Sequence, residues 1–541
     1  MAGSRNRKVA VGGDDRLSDL PEGILEHVLS FLPAADAVRS SVLSRRWLRA
    51  WAHAPALNLS DELLRDRFLG FAREVLERYG APDVPALDVT LGCESNLGPA
   101  TAAWLRDAMG RVVESISVSV TAPGALYQLT LPRGLRAKSI SLRLSGVTSE
   151  YGPLVLPEPG APTSFGALEE LSLSRVRLRE RVRPLGEFLS SCCPGLRKLR
   201  LTKVSGELRR APLVLHLDML EELVVDHVER FNKLQVVSAN LRVLGVLSSF
   251  ESMSQWRIDT VVEISAPRLE AVGWSGFLPK HLSFLHGSHC IRRLSGLRFY
   301  LSWNLSTSAV RLLEMCSSAD HLSVCIDIPD VTPSMLIREK LENVPHLPNI
   351  RVLSLQLATI LRFIAIGCSI APIIFSLLRL CPNLTRLHID LSMLNPFLYL
   401  MVPDIDDDTE VKKPSQSSGS NPWKACGDQQ QLGMLREIRI SGFMGTDLEM
   451  ELVDILFGVV AARPAIERIS LSLFPQLRQG IDDSPVCGVG ATLSAFKRMM
   501  SSPRVLRHMD SIVAKMKDRF PLVGGYWETV PRKELTWIRA R

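Results

Sequence analysis

Cys193-Pro194-Gly195-Leu196-Arg197-Lys198-Leu199-Arg200-Leu201-Thr202 holds the pattern that decides the fold. Leu196, Leu199 and Leu201 are its apolar residues, and the last two keep the two-residue period of a strand that buries one face. The same apolar-x-x-apolar-x-apolar spacing stands at Leu168/Leu171/Leu173, Leu220/Leu223/Val225, Leu241/Leu244/Val246 and Leu269/Val272/Trp274. It continues, less cleanly, at Leu294/Leu297/Phe299, then at Ala319/Leu322/Val324 and Ile350/Leu353/Leu355. Leu384/Leu387/Ile389, Leu435/Ile438/Ile440 and Ile466/Ile469/Leu471 complete the series. Successive starts lie 21–34 residues apart, except for one step of 51. Self-similarity at such a period marks an array of stacked coils, in which neighbours complete a core that no coil can close alone. Weaker alternation at Leu87/Val89/Leu91, Ile116/Val118/Val120 and Ile140/Leu142/Leu144 carries the array back to about residue 80.

Several of these strands follow a cysteine or proline at a fixed offset: Cys193-Pro194, Cys381-Pro382, Cys316 and Pro267. Cys-Pro-x-Leu-x-x-Leu-x-Leu resembles the cysteine-containing leucine-rich repeats. That resemblance implies an α/β fold, a curved leucine-rich-repeat solenoid wound as a right-handed β-α superhelix. The cysteines then end buried helices, where a small apolar thiol fits. Ten cysteines occur without a CxxC pair or a Cys/His cluster of zinc-finger spacing, so neither a metal nor another cofactor is expected.

Composition points the same way. At 541 residues the chain is too long for one compact core. Hydrophobic residues make up 46% and aromatics only 6%, which suits a repetitive aliphatic core better than an aromatic-lined catalytic pocket. The net charge of +7 is mild at this length and does not imply a nucleic-acid partner. Phe363 to Leu378 is uncharged but shorter than the roughly 20 apolar residues a spanning helix needs. Gly367 and Pro372 interrupt it, so it reads as a buried part of a coil, with no membrane partner. Signatures of phosphate loops, nucleophile elbows and zinc-protease helices are missing, and the chain is not expected to be an enzyme.

Arg16 to Trp51 reads RLSDLPEGILEHVLSFLPAADAVRSSVLSRRWLRAW. Ile24, Leu25, Val28, Leu29 and Leu32 make one wide apolar helical face, and Pro33 stops that helix. Asp36 is the expected N-cap of a second helix, and Ser44 that of a third bearing Trp47, Leu48 and Trp51. So small a unit cannot bury all of this surface by itself. The stretch resembles an F-box: Leu20-Pro21, the spaced Ile/Leu/Val helix, Leu32-Pro33-Ala34-Ala35-Asp36, then Val42-Leu43-Ser44-Arg45-Arg46-Trp47. The resemblance implies a three-helix domain that binds a Skp-type adaptor and, through it, a cullin-based ubiquitin ligase. Positions matching the family's adaptor contacts are Leu20, Pro21, Ile24, Leu25, Val28, Leu29, Leu32, Val38, Leu43 and Trp47.

The expected organisation is a disordered tail at 1–13, the F-box at 14–54, a helical linker at 55–79 and the solenoid at 80–431. Asp404 to Gln431 is acidic and then rich in polar residues, and is expected as a disordered insertion. Residues 432–480, with Leu435 to Phe443 and Arg463 to Leu471, resemble the FBD domain that ends many plant F-box proteins. A helical tail, 481–541, follows. Solvent-facing strand positions are where a target protein would bind, and Lys198, Arg200, Glu222, Asp226, Arg386, His388 and Arg439 are the candidates. The function this implies is substrate recognition for an SCF-type ligase in the nucleus, the cytoplasm or both. A non-ligase interaction scaffold and a receptor needing a small-molecule co-ligand share the architecture.

Overall fold

In a computed structural model, the alternating segments form strands that pair in parallel, each with the next coil's strand. The structure describes residues 20–42, 45–62, 64–92, 98–122, 127–146, 151–157, 165–179, 184–206, 211–229, 231–249, 260–276, 278–286, 288–300, 307–328, 346–359, 371–393, 433–443, 449–450, 452–453, 456, 466–473, 503–519, 525–530 and 534–539. Two units divide the chain, Met1–Leu234 and Gln235–Arg541.

Three short helices open the first unit: α1 (Glu22–Leu29), α2 (Ala34–Arg39) and α3 (Arg45–Ala50). The chain enters α2 from Pro33, whose backbone is extended. Asp36, expected as the N-cap, therefore lies inside the first turn and pairs with Arg39 at 2.9 Å. Proline's preset φ supplies the entry that a capping side chain would otherwise provide. Leu25 and Leu29 point inward, α1 packs on α3, and Trp47, Ala50 and Trp51 are buried with them.

Residues 55–79, read from sequence as a helical linker, hold a strand β1 (Ala56–Ser60) before the helix α4 (Phe68–Arg78). Ala-Leu-Asn-Leu-Ser alternates for only five residues, too few to stand out beside the longer helical pattern. The array therefore begins one coil before residue 80. Asn58 Nδ2 donates to the carbonyls of Ser30 (2.7 Å) and Leu32 (3.3 Å), and the Tyr79 hydroxyl donates to Ala54 O at 2.9 Å. These bonds fasten the helical segment onto β1 and cover a sheet edge that would otherwise be open.

β1 is followed in register by β2 (Val84–Leu91), β3 (Val112–Ala122), β4 (Ser139–Gly146), β5 (Glu170–Arg179), β6 (Lys198–Gly206) and β7 (Glu222–Asp226). Leu87, Ile116, Ile140, Leu171, Leu199 and Leu223 stand opposite one another along this run, and all are buried. Helix α5 (Pro99–Met109) connects β2 to β3, and α6 (Leu185–Cys192) connects β5 to β6. Within β5 and β6, and just after β7, Arg175, Lys203 and His227 take φ of 56°, 51° and 49°. A left-handed non-glycine residue costs about 1–3 kcal/mol, so the bend at this point is imposed by the coil rather than by local preference.

One arginine closes the early coils. Arg111 donates to three carbonyls, Leu76 O (Nη1, 2.7 Å), Ala81 O (Nη2, 2.8 Å) and Pro82 O (Nε, 3.0 Å). Arg111→Ala is expected to destabilise the chain by about 3 kcal/mol, since bonds from a charged donor contribute about 1.5–3 kcal/mol each and do not add fully. Arg111→Lys should restore little of this, because an ammonium cannot reproduce the planar fork. Urea unfolding of the three proteins tests both statements, and a lysine variant as stable as the parent contradicts the fork.

In the second unit β8 (Val243–Leu247), β9 (Ala271–Trp274), β10 (Arg293–Tyr300), β11 (His321–Ile328), β12 (Val352–Thr359), β13 (Arg386–Met393), β14 (Glu437–Phe443) and β15 (Arg468–Leu473) pair successively in parallel. The irregular coil has a physical cause. Leu294 pairs with Leu322 but Leu297 pairs with Val324, so β10 carries one extra residue. Gly296, at φ 72°, sits at that bulge. Among the described side chains Ile291, Leu294 and Leu297 are buried, and the register moves the start of this coil from Leu294 to Ile291. Helices α7 (Thr307–Met315) and α8 (Ala371–Leu380) precede β11 and β13. Cys316 and Cys381 follow them, both buried, and burial pushes each thiol up to about 12. Both stay protonated at neutral pH, so a maleimide should label neither until denaturant is added; labelling mapped by peptide mass checks this.

The C-terminal segment, expected as a helical tail, carries α9 (Pro503–Arg519) and then two strands, β16 (Gly525–Val530) and β17 (Glu534–Arg539). β17 pairs antiparallel with β15, and β16 antiparallel with β17, reversing the direction of the sheet at its end. The expected N-terminal tail and the 404–431 insertion lie outside the described residues. Among the described residues no helix is long and apolar enough to cross a membrane.

Candidate functional site

Helix α1 is apolar on two faces. Leu25 and Leu29, four apart, fill the interior, while Ile24, Val28 and Phe31 occupy a second face at i, i+4 and i+7. This second stripe is open: Ile24 is 47% exposed, Val28 42% and Phe31 71%. Leu32 is exposed beside it, and Val42, at the end of the turn after α2, is 88% exposed. Leu20 and Val38 are half-buried and Pro21 is exposed. Arg46 donates from Nη2 to Leu20 O, tying the Leu-Pro segment to α3. Burying one such side chain contributes about 1.5–3 kcal/mol, so Ile24, Val28, Phe31 and Leu32 together make a strong apolar surface.

The ten sequence-derived positions thus separate into two groups. Ile24, Val28 and Leu32 lie on the open face with Pro21, and Leu20 and Val38 border it. Leu25, Leu29 and Trp47 form the inside of the helical segment. Leu43 lies outside the described residues. Phe31 and Val42, also exposed, are not among the ten, although Phe31 lies seven residues from Ile24.

On the solvent side of the sheet in the first unit, neighbouring strands match charge against charge. Lys198 Nζ reaches Glu170 Oε1 at 2.6 Å, Arg200 Nη2 reaches Glu222 Oε1 at 3.1 Å, and Arg197 Nη1 reaches Glu221 Oε1 at 3.2 Å. Asp226 is engaged by His227 at 2.7 Å. The hydrogen bond to Glu170 raises the Lys198 pKa above the usual lysine value. Lys198, Arg200 and Glu222 are brought together on β6 and β7, with Asp226 at the far end of β7. These pairs are solvent-exposed and individually weak, but they cancel the charge that makes Lys198 and Arg200 read as a basic cluster in the sequence.

In the second unit Arg386 and His388 on β13 lie beside Glu437 and Arg439 on β14. His388 Nε2 is 3.0 Å from Ser441 Oγ. Among the described residues no group of three or more His, Cys, Asp or Glu is placed to hold a metal ion.

Comparison with known proteins finds a family match over the same N-terminal segment. The family profile for the F-box domain matches residues 17–55. A putative F-box/LRR-repeat protein of Arabidopsis thaliana is 29% identical over 196 residues, 35% of this chain and 39% of the relative. An Arabidopsis F-box protein is 28% identical over 231 residues, 41% of this chain and 70% of the relative. A putative Arabidopsis F-box/FBD/LRR-repeat protein is 23% identical over 415 residues, covering 70% of this chain and 80% of the relative. The first of these alignments spans well under half of the relative's own length. The N-terminal segment is an F-box domain. Together with the relatives, it supports a plant F-box/leucine-rich-repeat protein.

Proposed function

We propose that this chain is the substrate-recognition subunit of an SCF-type ubiquitin ligase. The three N-terminal helices act as the F-box fold that holds a Skp-type adaptor, and the adaptor joins the chain to a cullin. The parallel strands act as a leucine-rich-repeat solenoid whose solvent face holds a target protein. The single observation that carries the reading is the open apolar stripe of Ile24, Val28, Phe31 and Leu32, left uncovered beside a core that has already used Leu25, Leu29 and Trp47. Leu20, Pro21 and Val38 border that stripe, while Leu25, Leu29 and Trp47 hold its shape from beneath. Candidate target contacts are Lys198, Arg200, Glu222 and Asp226 in the first unit and Arg386, His388 and Arg439 in the second. The chain supplies proximity and orientation, and ubiquitin transfer is carried out by other subunits.

The test is co-expression of the full chain with a Skp-type adaptor, followed by gel filtration. A one-to-one complex that incorporates a cullin and ubiquitylates a captured protein is the expected result. Failure to retain the adaptor contradicts the reading. Retention without ubiquitin transfer to any captured protein favours an interaction scaffold instead.

A further inference from the structure

Near the end of the second unit, among the described residues, three arginines lack the ion pairs that Lys198 and Arg200 make in the first. Arg386 on β13, Arg439 on β14 and Arg468 on β15 are exposed, and among the described residues none of them has an ion-pair partner. Register fixes their arrangement. Arg386, Glu437 and Arg468 stand opposite one another on three adjacent strands. Arg439 is two residues beyond Glu437, opposite His388 and Ser470. With strands about 4.8 Å apart, the backbones of Arg386 and Arg468 are about 10 Å apart, and Arg439 lies about 7–8 Å from each on the diagonal. The other charges nearby are His388, bonded to Ser441, and Asp390 on β13, with Arg351 at the rim. Arg436 and Glu467, also at the rim, face each other at 3.7 Å.

We propose that Arg386, Arg439 and Arg468 receive an extended acidic segment of a target protein, with carboxylates on alternate residues. Alternate side chains of an extended chain project to one side about 7 Å apart, which matches either of the two diagonals that meet at Arg439, so successive acidic side chains span Arg439 and one of the other two arginines. A guanidinium meets a carboxylate through two parallel hydrogen bonds, so spacing and geometry both select for the acidic side chain. Glu437, midway between Arg386 and Arg468, provides discrimination. A continuous polyanion would lay negative charge against it, whereas an alternating peptide turns its neutral side chains away and brings only uncharged backbone between its carboxylates. The inference rests on reading the solvent face of the sheet as the target-binding face.

Fluorescence anisotropy tests it, with the full chain bound to its adaptor and a fluorescein-labelled peptide of alternating glutamate and serine. Binding should weaken with added salt and fall about tenfold or more in R439E, or in the double variant R386E/R468E. E437Q should bind the peptide more tightly. A lysine-serine peptide should not bind. Equal binding by the arginine variants overturns the proposal. So does weaker binding by E437Q, or preference for a single-stranded oligonucleotide or inositol hexakisphosphate over the peptide. Adaptor retention is read in the same preparations: its loss in the parent chain counts against the ligase reading, while a failed peptide arm with adaptor retained counts against this site alone.

Discussion

The 541-residue chain carrying Ile24→Asp and Val28→Asp is expected to lose a Skp-type adaptor while keeping its melting profile. Both residues lie on the open face of α1, so neither change puts a carboxylate into the interior. In the complex the same carboxylates would be taken out of water without a partner. The loss of two apolar contacts, about 1.5–3 kcal/mol each, together with that desolvation, makes the expected weakening about a thousandfold or more. Leu25→Asp is the contrasting control. Leu25 is fully enclosed, so a charge there should unfold the helical segment, and adaptor binding would disappear together with the melting transition. Phe31→Ala should fall between, losing roughly tenfold to a hundredfold through contact area alone. Circular dichroism and adaptor pull-down on the same preparations separate these cases. Undiminished pull-down by the double variant would show that the adaptor does not use this face, and the ligase reading would fall with it.

What could be read from sequence depended on how many residues each signal spans. The three-residue apolar spacing recurs in eleven places, and every fully described occurrence except the Leu294 coil lies in the core as spaced. That coil misled because one inserted residue, accommodated at Gly296, shifts the apolar spacing without removing the strand. β1 escaped notice because five residues of alternation carry little information, and β16 and β17 because their role comes from pairing antiparallel with β15. Such pairing is a long-range event that local pattern does not encode. The candidate site divides along the same line. That α1 is apolar was plain, but which of its residues face inward depends on where α3 and the turn Trp51–His53 pack. Apolar character alone cannot distinguish Leu25, which is enclosed, from Ile24, which is not. The charged candidates were read strand by strand, so the cancellation of Lys198 by Glu170 across the sheet was invisible.

Trp274 provides the sharpest test of the stacked core. It ends β9, is fully enclosed, and is the largest side chain so placed among the described residues. The next coil bends around it: a Cβ on Gly296 would lie 3.2 Å from the Trp274 carbonyl oxygen, and Gly296 has φ 72°. Trp274→Ala leaves a cavity that a parallel sheet cannot collapse into without breaking its ladder, so the expected cost is about 3–5 kcal/mol. Because each coil rests on its neighbours, the loss should spread beyond β9, lowering the urea midpoint of the second unit by on the order of 1 M. Gly296→Ala should destabilise the same coil for a different reason, the left-handed backbone and the close carbonyl, without opening a cavity. The two variants are therefore distinguishable. A small apolar probe such as benzene should partly rescue Trp274→Ala by filling the void, and should do nothing for Gly296→Ala. A Trp274→Ala chain that unfolds at the parental urea concentration would mean that β9 is not part of a continuous core.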